Sequence, residues 1–294
     1  MSLGSFFHDS TDHPGAVVLG AGGMLGRALC RLLDRLDIPF DPLHTADLDL
    51  ADPESIKTSG RVFDRVWFNC AAWTDVDGAE ANENAALAIN GGPGLATLCE
   101  RIKADDGLLV HISTDYVFDG SASEPYQTDH PRSPLGAYGR TKAAGEEIIE
   151  QSGCQFIIAR TSWLYAPWAN NFVRTMARLT REKDRLKVVS DQRGRPTSAE
   201  HLAETLVKLV DAGARGVYHT TDGGQCSWFD FACAIRDGLG HQCTIEPCTT
   251  QEFPRPAPRP AYSVLDLSKT ESIIGPMTNW QENLNTVLER LETD

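Results

Sequence analysis

Tyr138 and Lys142 lie four residues apart in the segment YGRTKAAGE, residues 138–146, which is typical of the first turns of a helix. Side chains at positions i and i+4 of a helix share one face and are about 5–6 Å apart. A free tyrosine has a pKa of about 10, too high for efficient proton transfer near neutral pH, and a nearby ammonium group lowers it by favouring the phenolate. The pair therefore predicts a proton-transfer site in which Lys142 lowers the pKa of Tyr138.

A second polar group follows an apolar segment, HISTDYVFDG, residues 111–120. The segment predicts a buried strand that ends near Thr114, Asp115 and Tyr116. The carboxyl ends of parallel strands face the crevice in which such sheets bind ligands. We therefore expect the hydroxyl of Thr114 to hold a substrate carbonyl, whose oxygen Tyr138 protonates as a hydride reaches its carbon.

A glycine-rich turn near the start of the sequence indicates the hydride donor. Gly20, Gly23 and Gly26 stand between an apolar strand and a leucine-rich helix. The first glycine allows a tight turn, the second lets the backbone approach a pyrophosphate, and the third allows close packing of helix and strand. The helix N-terminus then offers unpaired N–H groups to the phosphates. The turn predicts dinucleotide binding by Gly20, Gly22, Gly23, Met24, Leu25 and Gly26.

The sequence leaves the choice between NADPH and NADH open. Asp41 has the offset from the first glycine that usually marks NAD, but two prolines flank it. His44 could tolerate a 2′-phosphate, and Arg27 could pair with one. Asp49, with Leu50 beside it, is a candidate for the adenine end of the cofactor, since it precedes a helix that Asp52 is predicted to cap.

These sites need a sheet that aligns several strand ends. Apolar segments that predict strands alternate with helical segments, at residues 16–20, 61–72, 106–115 and 155–165. This order predicts an α/β fold, a Rossmann-type doubly wound parallel sheet with helices on both faces. We expect a flexible tail over 1–15, a dinucleotide-binding domain over 16–165, and a smaller α/β substrate-binding lobe over 166–294 with some segments packing back on the sheet.

Composition excludes several classes of partner. Of 294 residues, 41% are hydrophobic and 23% charged, and the net charge of −14 disfavours nucleic acid and anionic membranes. No apolar run is long enough to span a bilayer, and the first fifteen residues do not resemble a signal peptide. The eight cysteines form no C-x-x-C pair and fit no zinc spacing, which favours reduced thiols in the cytoplasm.

The glycine turn together with Tyr-x-x-x-Lys resembles the extended short-chain dehydrogenase/reductase superfamily. More closely, the chain from residue 16 onwards resembles the dTDP-4-dehydrorhamnose reductase family. The resemblance rests on ordered blocks: NCAAWTDVDGAE, STDYVFDG, YGRTKAAGE, RTSWLY, DQRGRPTSAEHLA, GVYHTTDGG and RPAYSVLDLSK.

The resemblance implies an activity and a set of roles. NADPH or NADH would reduce the C4 ketone of dTDP-4-dehydrorhamnose to dTDP-L-rhamnose, with Tyr138 as acid, Lys142 as its ribose-binding partner and Thr114 orienting the ketone. Ala71, Ala72, Trp73 and Thr74 would line the cofactor's path, while Asp115, Tyr116 and Trp163 would contact the dTDP-sugar. Arg259 is added because an anionic substrate needs positive charge in an acidic protein.

Some features depart from the family pattern or leave alternatives. Leu19 stands where many relatives have threonine, and Trp73 where tyrosine or histidine is common. The glutamates of the magnesium site through which some relatives dimerise are not identifiable, so we predict no metal and a monomer or homodimer. Two alternatives remain: a reductase of another 4-keto-6-deoxysugar nucleotide, or a non-catalytic subunit resembling the regulatory subunit of methionine adenosyltransferase.

Overall fold

The structure, a computed structural model, describes residues 15–61 and 65–291. The tail predicted over residues 1–15 falls, apart from Gly15, outside the described residues. The strands in chain order are β1 (Ala16–Leu19), β2 (Phe40–Leu43), β3 (Val66–Asn69), β4 (Leu108–Thr114), β5 (Gln155–Thr161), β6 (Leu164–Tyr165), β7 (Arg185–Val189), β8 (Arg193–Gly194), β9 (Thr197–Ser198), β10 (Gly216–His219), β11 (Cys226–Ser227) and β12 (Thr244–Cys248). The α-helices are α1 (Met24–Arg35), α2 (Pro53–Lys57), α3 (Val76–Ala81), α4 (Glu83–Asn90), α5 (Pro93–Ala104), α6 (Ala137–Ser152), α7 (Phe172–Glu182), α8 (Ala199–Asp211), α9 (Trp228–Gly238), α10 (Ser268–Ile274) and α11 (Trp280–Leu288).

The centre of the molecule is a six-stranded parallel sheet in the order β2–β1–β3–β4–β5–β10. The chain runs from β1 outward to β2 and then crosses to the other side of β1 for β3. This reversal leaves a crevice outside the carboxyl ends of β1 and β3, where doubly wound sheets bind ligands. The prediction of a doubly wound α/β fold is therefore confirmed.

The sheet is buried on both faces because its apolar residues alternate between two cores. Val18, Phe68 and Val110 belong to the core that α1 and α8 cover. Their neighbours Val17 and Trp67 point to the opposite core, which contains residues of α5 and α6. The periodicity of two along each strand thus holds a helical layer on each side of the sheet.

The strand predicted over residues 155–165 is shorter than expected. β5 ends at Thr161, and Trp163 adopts a left-handed φ of 47° that an extended strand does not allow. Leu164 and Tyr165 then pair with Thr197 and Ser198 in a separate two-stranded sheet. This turn directs the chain away from the main sheet.

Residues after 165 build a third apolar core, formed mainly by α7, α9 and α11. Two further pairs, β7–β12 and β8–β11, belong to this part of the chain. β10 instead returns to the main sheet and pairs with β5. The exact line between the two predicted domains stays a prediction. Among the helices of the described residues, none has the length and apolarity to cross a membrane.

Candidate active site

A cavity of about 730 Å³ opens at the carboxyl ends of the sheet strands. The glycine turn after β1 forms one end of it, and the end of β4 with the start of α6 forms another part. The predicted residues in its lining are Gly20, Gly23, Met24, Leu25, Asp49, Leu50, Ala71, Ala72, Thr74, Thr114, Asp115, Tyr116, Tyr138, Lys142 and Trp163. Segments far apart in the sequence therefore meet in one site.

The glycine turn has the geometry that a dinucleotide requires. Gly20 adopts a φ of +80°, and a Cβ there would lie 2.7 Å from the amide nitrogen of Ala71. A Cβ on Gly26 would lie 2.2 Å from the carbonyl oxygen of Gly20, so helix and strand pack as closely as expected. Gly22 and Gly26 lie outside the cavity lining, which indicates a structural part for them.

The N-terminus of α1 points at the cavity. Gly23 is its N-cap and has no side chain with which to bond the first turn, while Met24 and Leu25 line the cavity. The first N–H groups of a helix lack partners within it, and together with the helix dipole they favour phosphate. The residues present thus fit a dinucleotide cofactor bound through its pyrophosphate.

The two acidic candidates for the adenine end of the cofactor, Asp41 and Asp49, lie in different surroundings. Asp41 lies on the edge strand β2, where Pro42 is tolerated, and its carboxylate is 3.1 Å from Nη1 of Arg65. Asp49 lines the cavity, and one of its oxygens accepts a hydrogen bond of 2.8 Å from the amide of Ala51. Of the two, Asp49 lines the cavity and Asp41 does not, which favours Asp49 for the adenine end; its contact with the cofactor stays a prediction.

The groups considered for a 2′-phosphate are also placed. A Cβ on Gly22 would lie 3.3 Å from Nδ1 of His44, so His44 lies against the glycine turn. The guanidinium of Arg27 lies 4.8 Å from the ring centre of Trp168. Asp52 accepts a hydrogen bond from the amide of Glu54 and caps α2, as predicted.

The phenol of Tyr138 has a raised pKa rather than the lowered one we expected. Burial is the main cause, the charge of Asp115 adds to it, and a hydrogen bond with Thr114 opposes it, which brings the pKa of Tyr138 to about 12. A group with this pKa is protonated at neutral pH. Tyr138 therefore carries its proton in the site at that pH.

The expectation that Lys142 lowers the pKa of Tyr138 is wrong for this structure. Nζ of Lys142 donates to the carbonyl oxygen of Ile112 at 2.7 Å and contacts Nε2 of His111 at 3.2 Å. Burial lowers the pKa of Lys142 to about 8. The spacing of four residues fixes where the two side chains leave the helix but not which atoms their ends bond.

Asp115 carries a buried carboxyl group beside Thr114 and Tyr138. Its Oδ1 accepts from the hydroxyl of Thr114 at 3.0 Å, and its Oδ2 has no hydrogen-bond partner among the described residues. Burial raises the pKa of Asp115 to about 6, although the hydrogen bond from Thr114 opposes the shift. A buried carboxyl oxygen without a partner is rare in proteins, so Oδ2 is an acceptor that the fold leaves unused.

A buried ion network holds α6 in place. Arg160 on β5 donates two hydrogen bonds to the carboxylate of Glu146, of 2.9 and 2.7 Å, and Ser113 donates a third of 2.5 Å. These contacts lower the pKa of Glu146 in spite of its burial. Glu146 lies one turn after Lys142, so the network fixes the helix that carries Tyr138. We did not predict Glu146, although its spacing of four residues from Lys142 places both side chains on one face of the helix.

Two stacked indoles in the cavity lining come from distant parts of the chain. Trp163 stacks on Trp228 of α9, with ring centres 3.6 Å apart and planes 12° apart. Gly194 passes beneath Trp163, where a Cβ would lie 2.6 Å from the indole. Trp163 thus lines the cavity as expected, whereas no feature of the sequence indicated Trp228.

Besides Gly22 and Gly26, two predicted residues, Trp73 and Arg259, lie outside the cavity lining. The guanidinium of Arg259 donates to Asp77 at 2.9 Å and lies 5.9 Å from the ring centre of Tyr116. The indole of Trp73 donates to the carbonyl oxygen of Asp75 at 2.9 Å and packs near Tyr138. Neither side chain is brought to the cavity, because each is held by a partner at its rim.

Several lining residues were not predicted. They are Leu19, Thr45, Leu48, Asn69, Cys70, Val76, Ile89, Ile112, Ser113, Thr161, Ser162, Leu164, Ala169, Asn170, Asn171 and Trp228. Asn69, Cys70, Thr161 and Ser162 stand at or just after strand ends, so the rule that we applied to β4 also finds them. In the described part of the chain, no cluster of histidine, cysteine and acidic residues could hold a metal ion. The absence of a metal requirement stays a prediction.

A parallel sheet that brings a glycine turn and a Tyr-x-x-x-Lys helix to one cavity is typical of the short-chain dehydrogenase/reductase class. Comparison with known proteins narrows this assignment. The family model described as RmlD substrate binding domain matches residues 16–293. The chain therefore belongs to the dTDP-4-dehydrorhamnose reductase family, as the motifs had indicated.

Individual relatives agree over nearly their whole length. The dTDP-4-keto-6-deoxy-D-glucose reductase of Streptomyces niveus is 39% identical over 95% of this chain and 98% of its own. The crystal structure of a dTDP-4-dehydrorhamnose reductase from Clostridium acetobutylicum is 38% identical, covers 95% of this chain and 100% of its own, and superposes with a TM-score of 0.90. A dTDP-4-dehydrorhamnose reductase of Bacillus anthracis in complex with NADP is 34% identical, covers 93% and 98%, and has a TM-score of 0.88.

Proposed function

We propose that this protein reduces the C4 ketone of dTDP-4-dehydrorhamnose to give dTDP-L-rhamnose, with NADPH or NADH as reductant. The observation that carries the proposal is the meeting of Thr114, Tyr138 and Lys142 with the glycine turn in one cavity of about 730 Å³. The relatives from C. acetobutylicum and B. anthracis bear the name of this activity.

The reaction needs a hydride at the ketone carbon and a proton at its oxygen. A nicotinamide cofactor held through the glycine turn would supply the hydride. Tyr138, protonated at neutral pH because of its pKa of about 12, gives its proton to the oxygen as the new C–H bond forms. Thr114 holds the same oxygen, and the product is an alcohol. Lys142 lies one turn along α6, where it can return a proton to Tyr138.

We assign the sugar nucleotide to the other walls of the cavity. We assign the stacked indoles of Trp163 and Trp228 to its flat or apolar parts, since aromatic faces bind sugars and bases well. Asp115, which lines the cavity, is assigned to a sugar hydroxyl. Arg259 donates to Asp77, and its contact with the diphosphate stays a prediction.

The test follows the absorbance of reduced nicotinamide. The purified protein receives dTDP-glucose, the upstream dehydratase and epimerase, and NADPH or NADH in parallel. We expect oxidation that depends on this protein and on the epimerase, with dTDP-L-rhamnose as product. The absence of oxidation despite cofactor binding would contradict the proposal and would favour the non-catalytic alternative if a partner enzyme co-purifies.

The Tyr138→Phe variant tests the mechanism. It removes the donated proton and little volume, so we expect turnover to fall by about 10²–10⁴-fold while the Kd for NADPH changes little. Tyr218→Phe is the control, because Tyr218 is a buried tyrosine on β10 outside the cavity. Near-normal turnover in Tyr138→Phe would show that another group protonates the ketone.

The relative from S. niveus, a dTDP-4-keto-6-deoxy-D-glucose reductase, favours dTDP-4-keto-6-deoxy-D-glucose as a second candidate substrate. The same assay separates the two, since this substrate arises from the dehydratase alone. Oxidation without the epimerase would favour this second activity. Oxidation only with the epimerase would support dTDP-4-dehydrorhamnose.

We further propose that the protein works in the cytoplasm as a monomer or homodimer. All eight cysteines are free thiols, which agrees with a reducing compartment. Light scattering after size exclusion measures the oligomeric state directly.

A further inference from the structure

Three buried side chains form a hydrogen-bonded row that ends at Lys142, and two of them, Asn69 and Lys142, are in the cavity lining. Nδ2 of Asn69, at the end of β3, lies 3.1 Å from Nδ1 of His111 on β4. Nε2 of His111 lies 3.2 Å from Nζ of Lys142. The exposed fractions are 1% for Asn69, 1% for His111 and 2% for Lys142, so water does not replace these contacts.

The orientation of Asn69 fixes the tautomer of His111. Oδ1 of Asn69 accepts a hydrogen bond of 3.2 Å from the amide of Ala71, so the NH₂ group of Asn69 faces His111. Nδ1 of His111 must then accept. A neutral imidazole carries one proton, which in this arrangement is on Nε2. Burial holds the pKa of His111 well below its usual range, so the ring is neutral at pH 7.

This tautomer depends on the charge of Lys142. An N–H at Nε2 needs an acceptor, which a neutral amine offers and an ammonium group does not. The amine keeps hydrogens to donate to the carbonyl oxygen of Ile112 at 2.7 Å. If Lys142 carries a third proton, the proton of His111 must move to Nδ1, where it meets the NH₂ group of Asn69. Two buried donors then face each other at a cost.

Other ionisable groups around Lys142 were considered from each side. Glu146 on the same helix and Cys70 after β3 favour the charged form of Lys142, and burial opposes it more strongly. Tyr138 lies one turn away on the same helix. Of the acidic residues on neighbouring helices, Glu80 bonds the amide of Ala137 and Glu83 pairs with Arg140. The contact with His111 is thus the direct one.

We propose that Asn69 and His111 form a positioning pair that favours the neutral amine of Lys142 and so allows Lys142 to exchange a proton near neutral pH. The pair acts through Lys142 and need not touch the substrate. The proposal rests on the proposed function for its purpose, which is the return of a proton to Tyr138. The lowered pKa of Lys142, about 8, agrees with it.

The direct test is the pKa of Lys142 in the protein without substrate. The ¹³Cε shift of labelled lysine is followed against pH, and the signal is assigned by its loss in Lys142→Met. In Asn69→Asp a carboxylate can accept from Nδ1–H of His111, which leaves Nε2 free to accept from the ammonium group. We expect the pKa of Lys142 to rise by about one unit or more. His111→Gln, which can offer a carbonyl oxygen to Lys142, should act in the same direction.

The control is Asn84→Asp, which makes the same change of charge on an exposed side chain of α4. We expect no shift there. Unchanged pKa values of Lys142 in both Asn69→Asp and His111→Gln would overturn the proposal, as would ¹⁵N shifts that place the proton of neutral His111 on Nδ1. If one variant does not fold, the other and the ¹⁵N measurement still decide.

The pH dependence of turnover is a second readout for Asn69 and His111. Activity should fall as pH rises past the pKa of Lys142, because the deprotonated amine has no proton to return to Tyr138. The alkaline limb of kcat should therefore move upward in Asn69→Asp together with the titration. Absence of any turnover would contradict the proposed function, whereas the titration without substrate would still test the pair.

Discussion

Asp115 controls the charge next to Tyr138. Its carboxyl is buried, and its negative charge is one of the causes that raise the pKa of the phenol. Its own pKa is raised to about 6, so the group gains a proton within an accessible pH range. The state of this single side chain therefore affects both the stability of the fold and the proton donor.

The first prediction concerns stability against pH. The folded pKa of Asp115, about 6, lies above the ordinary value of 3.8, so the folded state binds the proton more tightly than the unfolded state. This contribution is present below pH 4 and is lost as pH rises through 6. At about 1.4 kcal/mol per unit it is on the order of 3 kcal/mol. Asp115→Asn lacks it, so the free energy of unfolding of the wild type relative to the variant should fall between pH 4 and 7 in urea titrations.

Asp119→Asn is the control for the direction in which stability changes with pH. Hydrogen bonds from Ser121 and Tyr126 lower the pKa of Asp119, so its contribution is lost as pH falls instead. The relative stability of this variant should therefore move in the opposite direction. A difference between wild type and Asp115→Asn that does not change with pH would show that Asp115 is ionised like an exposed carboxyl.

At the scale of elements, close backbone contacts set the position of the helix α6. A Cβ on Gly139 would lie 2.2 Å from the carbonyl oxygen of Tyr116, and one on Gly145 would lie 2.2 Å from that of Asn90. The glycines let α6 approach its neighbours, and the bonds between Glu146 and Arg160 hold it at that depth. Tyr138 and Lys142 reach the cavity for this reason.

The glycine turn before α1 gives the second prediction. Gly26→Ala places a methyl group 2.2 Å from the backbone oxygen of Gly20, so the helix must move away from the turn. We expect the Kd for NADPH to rise by about tenfold or more and the melting temperature to fall. Isothermal titration and thermal unfolding measure the two effects.

Gly22→Ala is the matched variant within the same turn. Its methyl group would lie 3.3 Å from the ring of His44, a side chain that can shift. We expect the affinity for NADPH to stay within a few-fold of the wild type. Equal losses in both variants would mean that the turn tolerates no substitution and that the contact with Gly20 is not the cause.

At the scale of the whole molecule, the cavity belongs to both parts of the chain. Trp163 follows β5 of the main sheet, while Trp228 begins α9 in the core built by later residues. Both indoles line the same cavity as the glycine turn. On the proposed assignment, the cofactor depends on the glycine turn and the sugar nucleotide on the two indoles.

Trp228→Leu tests this division. Loss of the stacked partner leaves Trp163 unsupported, so we expect KM for the sugar nucleotide to rise roughly tenfold. The Kd for NADPH should change little, because the glycine turn is untouched. Trp280→Leu is the control, since Trp280 packs in the same core outside the cavity lining. It should lower stability and leave KM near its normal value, and an equal rise in KM would contradict the assignment of Trp228.

Local sequence was sufficient for the elements whose chemistry is local. The glycine turn, the strand that ends at Thr114 and the helix that carries Tyr138 and Lys142 were predicted, because periodicity and glycine spacing depend on neighbouring residues. The family was also recognisable, since its blocks occur in order along the chain.

Only the tertiary structure decided which partners the side chains contact. Lys142 bonds His111 and the backbone of β4, Arg259 is held by Asp77, and Trp228 arrives from a distant helix. Each of these outcomes depends on long-range contacts and burial, which spacing does not encode. Burial in particular reverses the expected shift of the Tyr138 pKa, because desolvation of a charge outweighs the effect of a lysine that is bonded elsewhere.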